Sequence, residues 1–181
     1  MKYILITLTV VLLVSCVLSA SAAPTLDRQT VPTLDLNRFL GHWYEIARYD
    51  HSFERNLESV ETDYTLLPDG KIEVVNRGID RRTGKEKVAH GKAKLTDQPG
   101  RLRVSFFLFF YSDYNILELD ENYEWALIGS KSPNYLWILS RTPHLDMQTL
   151  NYILRLAQQR GYSTSKLIWN RHSPRSEERR V

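Results

Sequence analysis

The sequence predicts a single all-β domain, an antiparallel sandwich or barrel of about eight strands with one late α-helix. Three observations carry this. Short segments rich in β-branched and aromatic residues alternate with turn signals at close intervals. One amphipathic period follows Asp146. The 181 residues are 43% hydrophobic, 25% charged and 11% aromatic, which suffices for one packed core and excludes a wholly disordered chain. The formal charge of +3 is too small for a nucleic-acid-binding field, so no nucleic-acid partner is expected. The lone Cys16 excludes an internal disulfide and a cysteine-based metal cluster.

The first 23 residues read as an address. Met1 and Lys2 precede an apolar run from Tyr3 to Leu18, and the small residues Ser19 to Ala23 follow. That is the pattern of a secretory signal peptide, its run of about 16 residues too short to span a bilayer. Two cleavage readings compete. Leu13-Val14-Ser15-Cys16 resembles the bacterial lipobox, which would make residues 1–15 the signal and Cys16 an acylated first residue. Cleavage after Ala22 or Ala23 would discard Cys16. The lipobox is preferred because the only Cys sits where acylation needs it, and two or three acyl chains anchor firmly. Val17 rather than Asp follows it, which on the usual bacterial sorting rule implies the outer membrane, on its periplasmic side. Thr25, Thr30, Pro32 and Thr33 suit a tether over residues 17–35, with 24–35 as a linker.

Strands are expected at Trp43–Tyr49, Thr62–Leu66, Lys71–Arg77, Val88–Leu95, Leu102–Phe106, Tyr114–Leu119, Trp125–Ile128 and Tyr135–Ser140. Between them stand turn signals such as Pro68-Asp69-Gly70, Thr83-Gly84 and Gln98-Pro99-Gly100. Asp146 caps the helix, whose apolar face is Met147, Leu150, Ile153, Leu154 and Ala157, and Gly161 stops it. A short strand, Lys166–Asn170, comes last. The tail 171–181 is charged, is expected to hold no core residue, and reads as disordered. A sandwich would fill its interior, whereas an eight-stranded up-and-down barrel can enclose a small ligand. Alternation alone does not choose between them.

Two motifs choose. Asn37-Arg38-Phe39-Leu40-Gly41-His42-Trp43-Tyr44-Glu45-Ile46-Ala47-Arg48 resembles the lipocalin entry motif, a helical turn followed by Gly-x-Trp. Leu136-Trp137-Ile138-Leu139-Ser140-Arg141-Thr142-Pro143 resembles the late motif that supplies the family's arginine. Leu119-Asp120-Glu121-Asn122-Tyr123 is a looser match to the middle motif. The resemblance covers residues 36–170. Within the lipocalins it is greatest to the bacterial members and their apolipoprotein D-like relatives. It implies an eight-stranded antiparallel up-and-down β-barrel with the helix packed outside.

The resemblance assigns Gly41, Trp43 and Arg141 to the closed end of the barrel, with the guanidinium against the indole, an attraction of about 0.5–2 kcal/mol. The rival role for Arg141 is binding a ligand anion. Strand parity then turns Glu45 and Ala47 inward with Trp43, and Arg48 outward. A buried carboxylate is costly unless paired or protonated. Glu45 is therefore expected to pair near the plug with Arg141, or to hold water or a polar ligand group on the pocket floor. Tyr64, Asn76, Tyr114 and Trp137 match lining positions of apolipoprotein D-like members. Ile72, Val74, Ile116 and Leu139 share their faces. The alternative is that these residues fill a dry core. Phe106-Phe107-Leu108-Phe109-Phe110-Tyr111 suits the pocket mouth, a membrane contact, a homodimer contact or packing beneath a loop. Asp50–Leu57 is expected to fold over the mouth.

His42, His51, His90, His144 and His172 form no close ligand pair, and most read as surface residues, so no metal site is expected. There is no Gly-x-Ser-x-Gly elbow and no phosphate-cradling glycine loop, so neither a catalytic residue nor a cofactor is assigned. The expected function is binding, storage or transport of a fatty acid, such as palmitate, or a lysophospholipid at the bacterial envelope. Two alternatives stand beside it, a lipid-modifying enzyme using Glu45 and a structural envelope protein with a filled barrel.

Overall fold

The computed structural model describes residues 25–106 and 110–172. The signal peptide and Cys16, the middle of the Phe-rich run and the tail beyond His172 lie outside the described residues.

A short helix α1 (Leu36–Phe39) leads into β1 (Gly41–Tyr49), β2 (Leu57–Leu66), β3 (Ile72–Asp80), β4 (Glu86–Leu95), β5 (Arg101–Ser105), β6 (Ser112–Leu119), β7 (Trp125–Gly129) and β8 (Leu136–Ser140). Each strand pairs antiparallel with the next, and β1 closes the circle by pairing with both β8 and β2. The interior is therefore a closed eight-stranded barrel, not a sandwich. α2 (Met147–Gln159) packs outside, and β9 (Leu167–Trp169) adds to the edge of β1 beyond the point where β2 leaves it.

Alternation sorts two cores. Trp43, Tyr64, Ile72, Val74, Ala93, Leu102, Ile116, Ala126, Ile128 and Leu139 face inward. Their strand neighbours Tyr44, Ile46, Leu117, Leu127, Leu136 and Ile138 face outward, beneath Ile153 and Ala157 of α2. The helix starts as its cap predicts: the Asp146 carboxylate accepts from Gln148 N (2.9 Å) and Thr149 N (3.0 Å). It ends just before Gly161, whose φ of 88° suits glycine. Met147, expected on the buried face, is 69% exposed, so the apolar stripe begins one turn later.

Three expectations are corrected. First, Thr25–Asp35 is not a free linker. Asp27 N donates to Arg160 O, Val31 N to Ile116 O, and Thr30 Oγ1 to Pro99 O, while Leu26, Val31 and Leu34 pack on the two cores. The segment is a strap down the barrel wall. Second, a register shift between Glu45 and Ala47 bulges β1 against β8. The extra residue inverts the parity beyond it. Ala47 therefore joins the outer core, and Arg48 points into the barrel. Third, His172 at the start of the tail is buried and donates from Nε2 to Glu45 O at 2.9 Å.

Candidate functional site: a cavity closed at one end

Trp43 stoppers the base of the barrel. Its Nε1 donates to Phe39 O at 2.8 Å, and its ring lies 5.2 Å from that of Phe39. The Arg141 guanidinium sits 3.8 Å above the indole. It donates to the carbonyls of Arg38 (2.6 Å), His42 (2.7 Å), Leu40 (3.0 Å), Phe39 (3.2 Å) and Tyr123 (3.2 Å). Four of these carbonyls lie between the end of α1 and the start of β1 and the fifth in the β6–β7 turn, and a planar fork suits such a cluster of acceptors. Gly41 has φ 90° beside the Arg141 Nη1, so a side chain here would be strained. Arg141 spends its donors on backbone.

Above this plug a cavity of about 510 Å³ opens at the other end of the barrel. Its wall includes Tyr64, Val74, Asn76, Tyr114, Trp137, Leu139 and Glu45. Ile72 and Ile116 do not reach it. They lie lower, in the filled base with Trp43 and Leu102, because the barrel is packed solid near the plug. The expected ligand-binding set is thus divided between cavity wall and base. Tyr64 and Tyr114 share a hydrogen bond at 2.7 Å, and burial raises both phenols above their ordinary value, so both stay neutral. The Asn76 Oδ1 is buried without a hydrogen-bond partner.

One flank of the cavity carries a buried ionic cluster. Arg48 Nη1 donates to Glu45 Oε1 at 2.7 Å, and Nη2 donates to Glu54 O (2.8 Å) and Leu57 O (3.2 Å). Arg48 so bridges the seam where β1 and β2 part. Asn170 Nδ2 donates to Glu45 Oε1 as well. Glu45 pairs with Arg48 and not with Arg141, as the bulge requires. Burial, and then the nearby Glu54 carboxylate, hold its pKa well above the usual value, against the pull of Arg48. Glu54 Oε2 lies 3.0 Å from His51 Nε2 and accepts from Trp137 Nε1 at 3.3 Å.

Glu54, His51 and Arg48 escape a sequence reading. A loop has no periodicity to sort its faces, and the bulge carries no glycine or proline to mark it. The only available sign was the expectation that Asp50–Leu57 folds over the mouth, which places Phe53, Glu54 and Leu57 on the cavity wall. Of the five histidines, His51 and His172 are buried. Among the described residues, no cluster of His, Cys, Asp or Glu is arranged to hold a metal.

A β-barrel stoppered by an indole and a guanidinium, hollow above and flanked by one helix, is the architecture of the lipocalins. Residues 34–172 match the lipocalin-like domain family, and the chain belongs to it. The family binds hydrophobic ligands. The chain is similar to outer membrane lipoprotein Blc of Escherichia coli (strain K12), 42% identical over 160 residues, 87% of this chain and 89% of that one. It is also similar to apolipoprotein D of Mus musculus, 33% identical over 144 residues and 74% of each chain. The solved structure of insecticyanin from the tobacco hornworm Manduca sexta shares the fold, with a TM-score of 0.68, at 20% identity over 82% of this chain and 86% of that one.

Proposed function

We propose that this lipocalin carries the acyl chain of a fatty acid or lysophospholipid in its cavity. It acts in storage or transport at the periplasmic face of the outer membrane, held there by an acylated Cys16. The carrying observation is the cavity itself. It is closed at one end, lined largely by apolar and aromatic side chains, and furnished with a few polar atoms, including the unpartnered Asn76 Oδ1. A chain of about sixteen methylenes at ~0.8 kcal/mol each sets a gross limit near ~13 kcal/mol. Ordering of the chain and loss of polar solvation reduce this, leaving micromolar to nanomolar affinity. The likeness to outer membrane lipoproteins and the lipobox-like Leu13-Val14-Ser15-Cys16 support the anchor.

Native mass spectrometry of protein extracted gently from membranes tests both parts. An acyl-lipid adduct of defined mass and an N-terminal Cys16 bearing acyl chains are the expected results. Protein that carries no adduct and displaces no fluorescent fatty-acid probe would remove the carrier reading. A mature chain beginning after Ala22 or Ala23 would remove the anchor alone.

A further inference from the structure

The rim of the cavity is both apolar and exposed. Phe53 (59% exposed), Phe106 (41%) and Phe110 (75%) line the cavity and face solvent, and Val88 (46%) joins them from β4. A cluster of large apolar side chains around a pocket opening marks a contact surface. The adjoining β3–β4 turn carries Arg81, Arg82, Lys85 and Lys87 against Asp80, Glu86 and Glu58, the last 3.2 Å from Arg81, which leaves one positive charge in excess at that turn.

The course of the strap gives this end a direction. Thr25 O and Leu26 Cα lie beside Gly161. The next residues, Tyr162 and Ser163, touch Gly129 and Tyr49, the mouth-facing ends of β7 and β1. From there the strap descends until Asp35 N donates to the Tyr123 hydroxyl at the closed end. The chain therefore enters the barrel on its mouth-side flank. Cys16 stands nine residues before Thr25, a span of at most about 32 Å when fully extended. With Cys16 in a bilayer, the mouth meets the surface on a slack tether. Presenting the closed end instead would take nearly all of that length, run back along a strand about 30 Å long.

We propose that the mouth docks on an anionic phospholipid bilayer, with Phe53, Phe106 and Phe110 among the acyl chains and the basic β3–β4 turn against the headgroups. The cavity then opens directly onto the lipid it takes up. This inference rests on the carrier reading with an acylated Cys16, and its test separates the two.

Acylated protein carrying Thr83→Cys at the mouth, or Asn122→Cys at the closed end, is labelled with a fluorophore at the introduced thiol. Each is reconstituted into vesicles of phosphatidylethanolamine and phosphatidylglycerol containing a nitroxide-bearing lipid. Quenching at position 83 is expected to exceed that at 122 severalfold. Combining Phe53→Ser, Phe106→Ser and Phe110→Ser is expected to bring position 83 down to the level of 122. Equal quenching at both positions, or stronger quenching at 122, overturns the proposal. Energy transfer between two labels at 83 without lipid quenching also overturns it, and makes the rim a contact between copies. Fatty-acid probe displacement on the same preparation reads the carrier function separately. Displacement without preferential quenching removes only the docking, and quenching without displacement removes only the carrier reading.

Discussion

Arg48 and Glu45 meet at 2.7 Å inside the barrel although they stand three positions apart on one strand. In a regular strand residues so spaced point to opposite faces. The bulge between Glu45 and Ala47 turns both inward, and Arg48 stitches β1 to the loop before β2 through Glu54 O and to the start of β2 through Leu57 O.

Neutralising Glu45 should change how stability depends on pH. Burial and the Glu54 carboxylate raise its pKa, so the folded protein holds this proton more tightly than the unfolded chain. The stability this contributes is complete below the unfolded value of 4.5 and is lost as pH rises through the folded value. Above pH 4.5 the wild type should therefore lose up to about 1.4 kcal/mol per pH unit relative to Glu45→Gln. Urea denaturation across pH checks this, and parallel curves for the two proteins would contradict it.

Removing the fork at the base should cost stability. Arg141→Leu removes a donor from five carbonyls, of which Phe39 O keeps its bond from Trp43 Nε1, and bares the indole face. A loss of about 2–4 kcal/mol is expected. Arg141→Lys should recover less than half, because an ammonium cannot reach the same acceptors together. A loss below about 0.5 kcal/mol for Arg141→Leu would deny the plug its structural role.

Charging the cavity wall should empty it. In a Trp137→Arg, Tyr114→Arg double variant, the guanidinium at 137 lies within reach of Glu54, which compensates part of its burial. The barrel is expected to remain folded by circular dichroism while affinity for a fluorescent fatty acid falls at least tenfold, about 1.4 kcal/mol. Unchanged affinity would place the acyl chain elsewhere.

Gly91 leaves room for Phe106. A methyl at Gly91 would stand 2.7 Å from Phe106 Cδ1 and 2.9 Å from the Ser105 carbonyl, and the backbone cannot retreat as a side-chain tip can. Gly91→Ala should therefore cost about 1–3 kcal/mol by overpacking. A thermal midpoint equal to that of the wild type would show that β4 and β5 separate freely.

The barrel was legible because its information is repeated. Each strand from Leu57 to Ser140 carries its own alternation and turn residues, and the Gly41-x-Trp43 and Arg141 motifs name the ends that must meet. What stayed hidden was local and unrepeated. Ile46 inserts one residue into β1 with no mark in the sequence, and inverts Ala47 and Arg48. The strap looked like a tether because Thr and Pro dominate it. Its grip comes from isolated apolar residues, Leu26, Val31 and Leu34, too widely spaced to form a period. Burial of His51 and Glu54 depends on where a loop lands, which no pattern within the loop records.

Among the described residues, the stopper at the base leaves the barrel one doorway. A ligand that enters and a ligand that leaves must use the same threshold, one after the other, so a filled cavity has to be vacated before it can be refilled. Whatever stands at that threshold sets the pace of traffic in both directions.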